Sequence, residues 1–435
     1  MWRDRFPAFE SADYRRLFLN TFFASASNWA LLLGRGWLVF ELTNSSTAVG
    51  LVTFAGWVPF FVAGPIGGAV ADTFDRRRVA LGAAFVAIAT SLVLAALTFA
   101  GAIEVWHVVA LALVAGSARA FATPAEDAMT PNVVPRQHLV NAVSLSGISR
   151  HGSRLAGPLL GAVLLAMLGA GWVFLLSAVL LVGSVAQLLA LRLRSAPSNE
   201  PGGPAAPRES GMALAWSLSR SIGEGFAYVE HDRRVATVIA FVVFHCTLTM
   251  AFDSMMPRLA MDIGGGRWTF GAISIGLGLG AILGTLSLSL LRGQIALGAV
   301  LVITGFGSGL SMVLFALTTR PEAAFVATIL VGSAQATYMA LSAVFVQQVV
   351  PDAMRGRVMS IYSMLAGGDM ALANFGFGWL SDIVGVRPLL IVPGLLWTAI
   401  LLAGIAFVPE LRHIVRRGTF RTQAAVAPTE GRPAG

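Results

Sequence analysis

The chain has 435 residues, 56% of them hydrophobic and only 12% charged, with a formal net charge of +8, whereas soluble domains carry about 25% charge. That balance excludes an ordinary water-soluble enzyme, and the apolar runs exceed the ~18 residues that mark membrane spans. All 30 Lys+Arg residues are arginines, clustered between apolar runs, so the charge reads as a topology signal and no nucleic-acid partner is expected.

In chain order, a polar segment (1–16) with no cleavable leader expected is followed by apolar windows at 17–40, 47–71, 79–101, 105–130, 139–168 and 171–191. A polar interval, 192–234, separates these from windows at 235–257, 268–291, 294–318, 322–350, 357–381 and 386–409, and a polar tail covers 410–435. The expected fold is therefore an all-α membrane protein with twelve transmembrane helices, six in a first bundle (17–191) and six in a second (235–409). Placing both termini and the loops after even-numbered helices on one side collects 22 of the 30 arginines there and leaves four opposite, with four more inside spans. Such a bias predicts a multi-pass protein of the cell (inner) membrane with both termini in the cytoplasm.

Residues 195–210, with four prolines and three charges, cannot pack a core and mark the linker between the bundles. Beyond them Leu214, Leu218, Ile222, Phe226 and Val229 recur at helical spacing against Arg220 and Glu224. The pattern fits a helix on the cytoplasmic membrane surface or one packed under the bundle. The bundles also share a register: GSARA at 116–120 and GSAQA at 332–336, the VVP runs beginning at Val133 and Val349, and Ser144 and Ser360 all lie 216 residues apart. Two related six-helix halves are the architecture of a secondary transporter whose site lies at the interface between them.

The segment GPIGGAVADTFDRRRV, Gly64 to Val79, resembles the loop between helices two and three of the major facilitator superfamily. Gly68, Asp72, Arg76 and Arg77 match its gate motif, while Thr73 and Asp75 depart from it. The segments at 130–146 and 349–363 resemble the branch containing macrolide-efflux proteins and the enterobactin exporter. The resemblance implies the two-bundle major facilitator fold and a latch in which Asp72 meets a helix N-terminus on helix eleven. It also implies export of a small organic molecule, drug-like or siderophore-like, by alternating access with proton antiport. No cofactor is expected, since the proton gradient supplies the energy, and the only partners expected of a monomer are its substrate and membrane lipid. Gly157 and Pro158 match the tail of a motif found in proton antiporters of the superfamily; equally, they permit a bend and close packing.

In this superfamily helices one, four, seven and ten line the cavity. Here they carry polar stripes: Thr21, Ser25, Asn28 and Arg35; Arg119, Thr123 and Glu126; His245, Thr249 and Asp253; Gln335, Tyr338 and Ser342. Asn28, Arg35, Arg119, Gln335 and Tyr338 are the expected cavity residues. Asp253 and Asp369, with Glu126 behind them, are the candidates for proton coupling, because a carboxylate that is alternately desolvated and hydrated can pick up and release a proton. Glu126 and Asp127 are expected to pair with Arg76 or Arg77, Arg150 and Arg154 with acids of helix four, and Asp253 with Arg35 or Arg258. His245 reads as a packed core histidine. The one cysteine, Cys246, and six scattered histidines supply no metal site, and nothing resembles a catalytic set, so no enzyme is expected. A proton-coupled importer is the nearest alternative, and a non-transporting membrane receptor the alternative of another class.

Overall fold

The computed structural model describes residues 6–59, 74–191, 220, 223–288 and 294–417. The described residues are almost entirely helical. The first half contains α1 (Ala12–Thr43), α2 (Ser46–Trp57), α3 (Arg76–Phe99), α4 (Val105–Val133), α5 (Leu139–Leu168) and α6 (Ala170–Ala190). The second contains α7 (Arg233–Ile263), α8 (Arg267–Ser287), α9 (Gln294–Ala316), α10 (Pro321–Val349), α11 (Asp352–Val384) and α12 (Val386–Phe407), with a terminal α13 at Pro409–Arg417. Ten of these are long and apolar enough to cross a membrane, and a count of twelve requires the shorter apolar α2 and the 33-residue α11 to cross as well. Outward-facing side chains such as Phe85, Trp106, Leu402 and Phe407 are more than half exposed, which suits lipid and not water.

Local chemistry sets the helix ends. Ser11 caps α1 by accepting from the Tyr14 N–H at 3.2 Å, and Ser45 caps α2 by accepting from Ala48 N–H at 3.2 Å. Asp75, which departs from the superfamily loop pattern, caps α3 by accepting from Arg78 N–H at 2.8 Å. Gly169 and Gly385, 216 positions apart, end α5 and α11 with φ of 94° and 85°, where a side chain would be strained.

The sequence offset recurs in three dimensions. Helices α4 and α10 are both 29 residues long, and both of their ends are displaced by 216 positions. Each uses the corresponding glycine for close approach: a Cβ on Gly116 would strike the Gly56 carbonyl of α2, and one on Gly332 would strike the Leu277 carbonyl of α8.

The hydrophobic core is divided unequally. At the end carrying the short 168–170, 263–267 and 384–386 connections, one continuous cluster joins both halves, with Trp37, Val49 and Phe174 from the first and Met255, Phe270 and Leu390 from the second. At the opposite end, which carries the 192–234 interval, each half has its own cluster, around Tyr14, Met129 and Leu188 in one and Val238, Phe345 and Trp397 in the other. Among the described residues, the halves thus share one core at the short-turn end and have separate clusters at the linker end.

Of the expected amphipathic helix, Leu214, Leu218 and Ile222 lie outside the described residues. Residues 223–231 are helical and dock against α11, with Glu224 accepting from Arg357 at 2.5 Å. The described part therefore packs on the bundle.

Candidate functional site

The larger cavity, about 180 Å³, is lined among the described residues by the first half alone. The interface between halves expected from the repeat holds a smaller one, of about 50 Å³. The cause is the composition of facing helices. Ala80, Ala83, Ala84 and Ala87 of α3 and Ala112, Ala115, Gly116 and Ala122 of α4 present short side chains to the same space, so helix packing there leaves volume unfilled.

Helix α1 supplies Thr21, Ser25, Asn28 and Arg35 to this cavity, and α4 supplies Arg119, Thr123 and Glu126, so two of the stripes meet. The Arg119 guanidinium lies 5.6 Å from the Trp57 ring centre. Glu126 sits in the field of both Arg119 and Arg150, beside Asn20, whose Oδ1 accepts from Ser184 Oγ at 2.6 Å. Arg35 differs from these. It is only 9% exposed, and its Nε and Nη2 are buried with no acceptor.

The smaller cavity separates Arg154 and Pro158 of α5 from Asp253 of α7, with Trp29, Phe270 and Ser274 around them. Arg154 and Asp253 attract each other across it, and the Arg154 guanidinium stacks over Trp29, 4.8 Å from the ring centre. Asp253 is exposed to this space because α7 is broken. Its α-helix ends at His245, a π turn follows at Cys246–Met250, and a 3-10 turn at Asp253–Met255 precedes the last segment, Met256–Ile263. Asp253 thus faces α5, while Arg258 pairs with Asp262 of its own helix at 3.5 Å. Gly157 packs against α1 at Ala26 and Trp29, which makes close packing a sufficient reason for a glycine there.

Gln335 and Tyr338 lie away from both cavities. The π turn leaves the Thr249 carbonyl without its helical donor, and Gln335 Nε2 donates to it at 2.5 Å. The Tyr338 ring lies 4.3 Å from His245 and 5.5 Å from Trp397, inside the second half's core. His245 is packed there too, its Nε2 at 2.8 Å from Ser308 Oγ. Asp369 is partly buried and accepts from Thr247 Oγ1.

Of the gate motif, Gly68 and Asp72 lie outside the described residues. Arg76 donates to the Ala128 carbonyl at 2.8 Å and Arg77 to the Leu189 carbonyl at 2.5 Å, tying the start of α3 to α4 and to the last turn of α6, where carbonyls lack helical partners. Asp127 pairs with Arg150.

A contact between halves that the sequence reading did not single out lies at the short-turn end. Asp382 of α11 accepts from Ser45 Oγ (2.6 Å), Thr47 Oγ1 (2.7 Å), Ser46 N–H (2.8 Å) and Thr47 N–H (2.9 Å) at the start of α2. Glu41 pairs with Arg267 nearby. The Thr43–Thr47 run, rich in capping residues, was the available signal, but nothing local names a partner 335 or more positions away.

Residues 5–422 match the family model described as transmembrane secretion effector. The chain belongs to this family, a branch of the major facilitator superfamily. Relatives of this secretion-effector chain include the macrolide efflux protein A of Streptococcus pyogenes, 22% identical over 82% of this chain and 86% of that protein. The multidrug efflux pump Tap of Mycolicibacterium fortuitum is 24% identical over 90% of this chain and 94% of its own length. The enterobactin exporter EntS of Escherichia coli O1:K1 / APEC is 26% identical over 80% of each. Among solved structures, the nucleoside transporter NupG superposes with a TM-score of 0.69 at 15% identity, covering 91% of this chain and 98% of that one. A peptide-bound transporter of the POT family gives 0.70 at 15% identity, covering 92% and 96%. These neighbours establish the fold, and the family and its relatives make the chain a multi-pass transporter of the efflux type.

Proposed function

We propose that this secretion-effector chain exports a small organic molecule across the inner membrane by alternating access, in exchange for protons, with both termini in the cytoplasm. The observation that carries the reading is the unequal core: one end of the molecule is sealed by a cluster common to both halves and the other is divided. Arginine bias supports a cytoplasmic position for the divided end, and on that reading this is the inward-facing state, ready to load from within. The named efflux relatives support the outward direction.

Movement between states requires the halves to rock, and Arg154 and Asp253 lie on opposite sides of that boundary. In the proposed cycle Asp253 carries the proton: ionised, it holds Arg154 across the interface; protonated, it releases it. Asp369 and Glu126 rank behind it, because each sits within one half. Asp72, with Arg76 and Arg77, is proposed to latch the cytoplasmic end when the outer end opens. The cavity and the boundary between halves both lie within one chain, which supports a monomer as the working unit.

The test is transport in everted vesicles under an imposed pH gradient, with a panel of organic compounds identified by efflux from cells lacking their own exporters. Accumulation driven by acid inside the vesicle supports the proposal; accumulation driven by acid outside indicates a proton-coupled importer and overturns it.

A further inference from the structure

Arg35 permits a statement about what is carried. A guanidinium has five N–H donors and stays charged, and burying one without an acceptor is strongly unfavourable. In the large cavity Arg119 is offset by Glu126 on its own helix, and Arg150 is paired with Asp127. No carboxylate among the described residues acts on Arg35, and Nε and Nη2 lie buried with nothing to accept them. Arg35 is also eight residues from the sealed end of α1, about 12 Å by helical rise, whereas Glu126 and Arg150 lie toward the divided end. Among the described residues, uncompensated positive charge is therefore concentrated at the Arg35 end of the cavity.

Beside Arg35 the wall is mixed: the α3 and α4 alanines form an apolar strip opposite α1, Asn28 lies two turns along from Arg35, and Thr53, Arg119, Thr123 and Glu126 line other parts of the space. A dry cavity of roughly 150 Å³ accepts one benzene ring, so about 180 Å³ accommodates one ring with a small polar substituent. We infer that this cavity is a binding site for a compact organic anion, a single ring bearing a carboxylate, with the carboxylate drawn toward the Arg35 guanidinium and the ring against the alanine strip. The assignment deepens the exporter reading and rests on it for its biological use, while the binding itself is measurable apart from transport.

The experiment titrates the purified full-length protein calorimetrically with salicylate, with salicylamide, which has the same ring but no charge, and with benzylamine, a cation. Salicylate should bind at least about tenfold more tightly than salicylamide, a charge-assisted contact being well able to supply that ratio, with benzylamine weakest. Arg35→Gln should erase the difference, and Arg35→Lys should keep much of it, since lysine retains the positive charge. Arg35→Gln should also raise the thermal unfolding temperature, because it removes a charge with no partner; an arginine with a purely structural role would lower it. Equal binding of salicylate and salicylamide, preference for benzylamine, or undiminished salicylate binding by Arg35→Gln each overturns the inference. Efflux of the compound panel is read separately: export with no anion preference sinks the site and spares the exporter, while anion binding with no export does the reverse.

Discussion

Asp382→Ala is expected to release the sealed end of the molecule. The carboxylate receives four hydrogen bonds at 2.6–2.9 Å, two of them from backbone N–H groups in the first turn of α2, where donors lack helical partners and the helix end is electropositive. Buried, each bond to an ionised acceptor contributes about 1.5–3 kcal/mol; because this cluster is mostly exposed, ~0.5 kcal/mol apiece is the appropriate scale. The sum, about 2 kcal/mol, corresponds to a shift of roughly 30-fold toward the outward-open state. The Glu41–Arg267 pair is comparably exposed and single, so Arg267→Gln should shift the balance only about twofold. The readout is labelling of Asn28→Cys, in a Cys246→Ala background, by a membrane-impermeant maleimide added outside intact cells. A rate for Asp382→Ala within twofold of its parent, or an equal effect of Arg267→Gln, would refute the reasoning.

Three further outcomes follow from the same geometry. Gly116→Val forces a side chain into the Gly56 carbonyl and should destabilise the first half by about 1–3 kcal/mol, seen as a lowered unfolding temperature in detergent, with Gly332→Val doing the same in the second half; an unchanged temperature would mean that α2 and α4 do not approach so closely. Asp253→Asn should abolish the response of vesicle transport to a pH gradient while leaving substrate exchange intact, and Asp369→Asn should retain the response; the opposite pattern would transfer the proton to Asp369. Asp72→Asn should cripple net export with the protein still present in the membrane, and normal export by that variant would remove the proposed cytoplasmic latch.

The helices and the duplication were legible because each is written in local chemistry: apolar runs and one offset that recurs in helix ends and in Gly169 and Gly385. Helical spacing also predicted that residues 28 and 35 share a face and that 119 and 126 do, and the structure brings both faces to one cavity. What spacing did not reveal is which neighbour a face meets. Gln335 looked like the counterpart of Arg119, yet the broken α7 presents it with an unpartnered carbonyl, a demand created only by the π turn. Arg154 was expected to find an acid on α4; helix packing placed Asp253 of α7 across from it. The alanines of α3 and α4, unremarkable in so apolar a chain, make the larger cavity only because they face each other.

The interruption of α7 has a mechanical consequence. A continuous hydrogen-bonded cylinder transmits tilt along its whole length, but here a longer rod, Arg233–His245, is joined to a short stub, Met256–Ile263, by a pivot of irregular turns. The stub packs against α1 and α8 while the rod packs against α10. Because the stub touches both bundles and is joined to the rod only through irregular turns, a change of its tilt need not be carried along the rod.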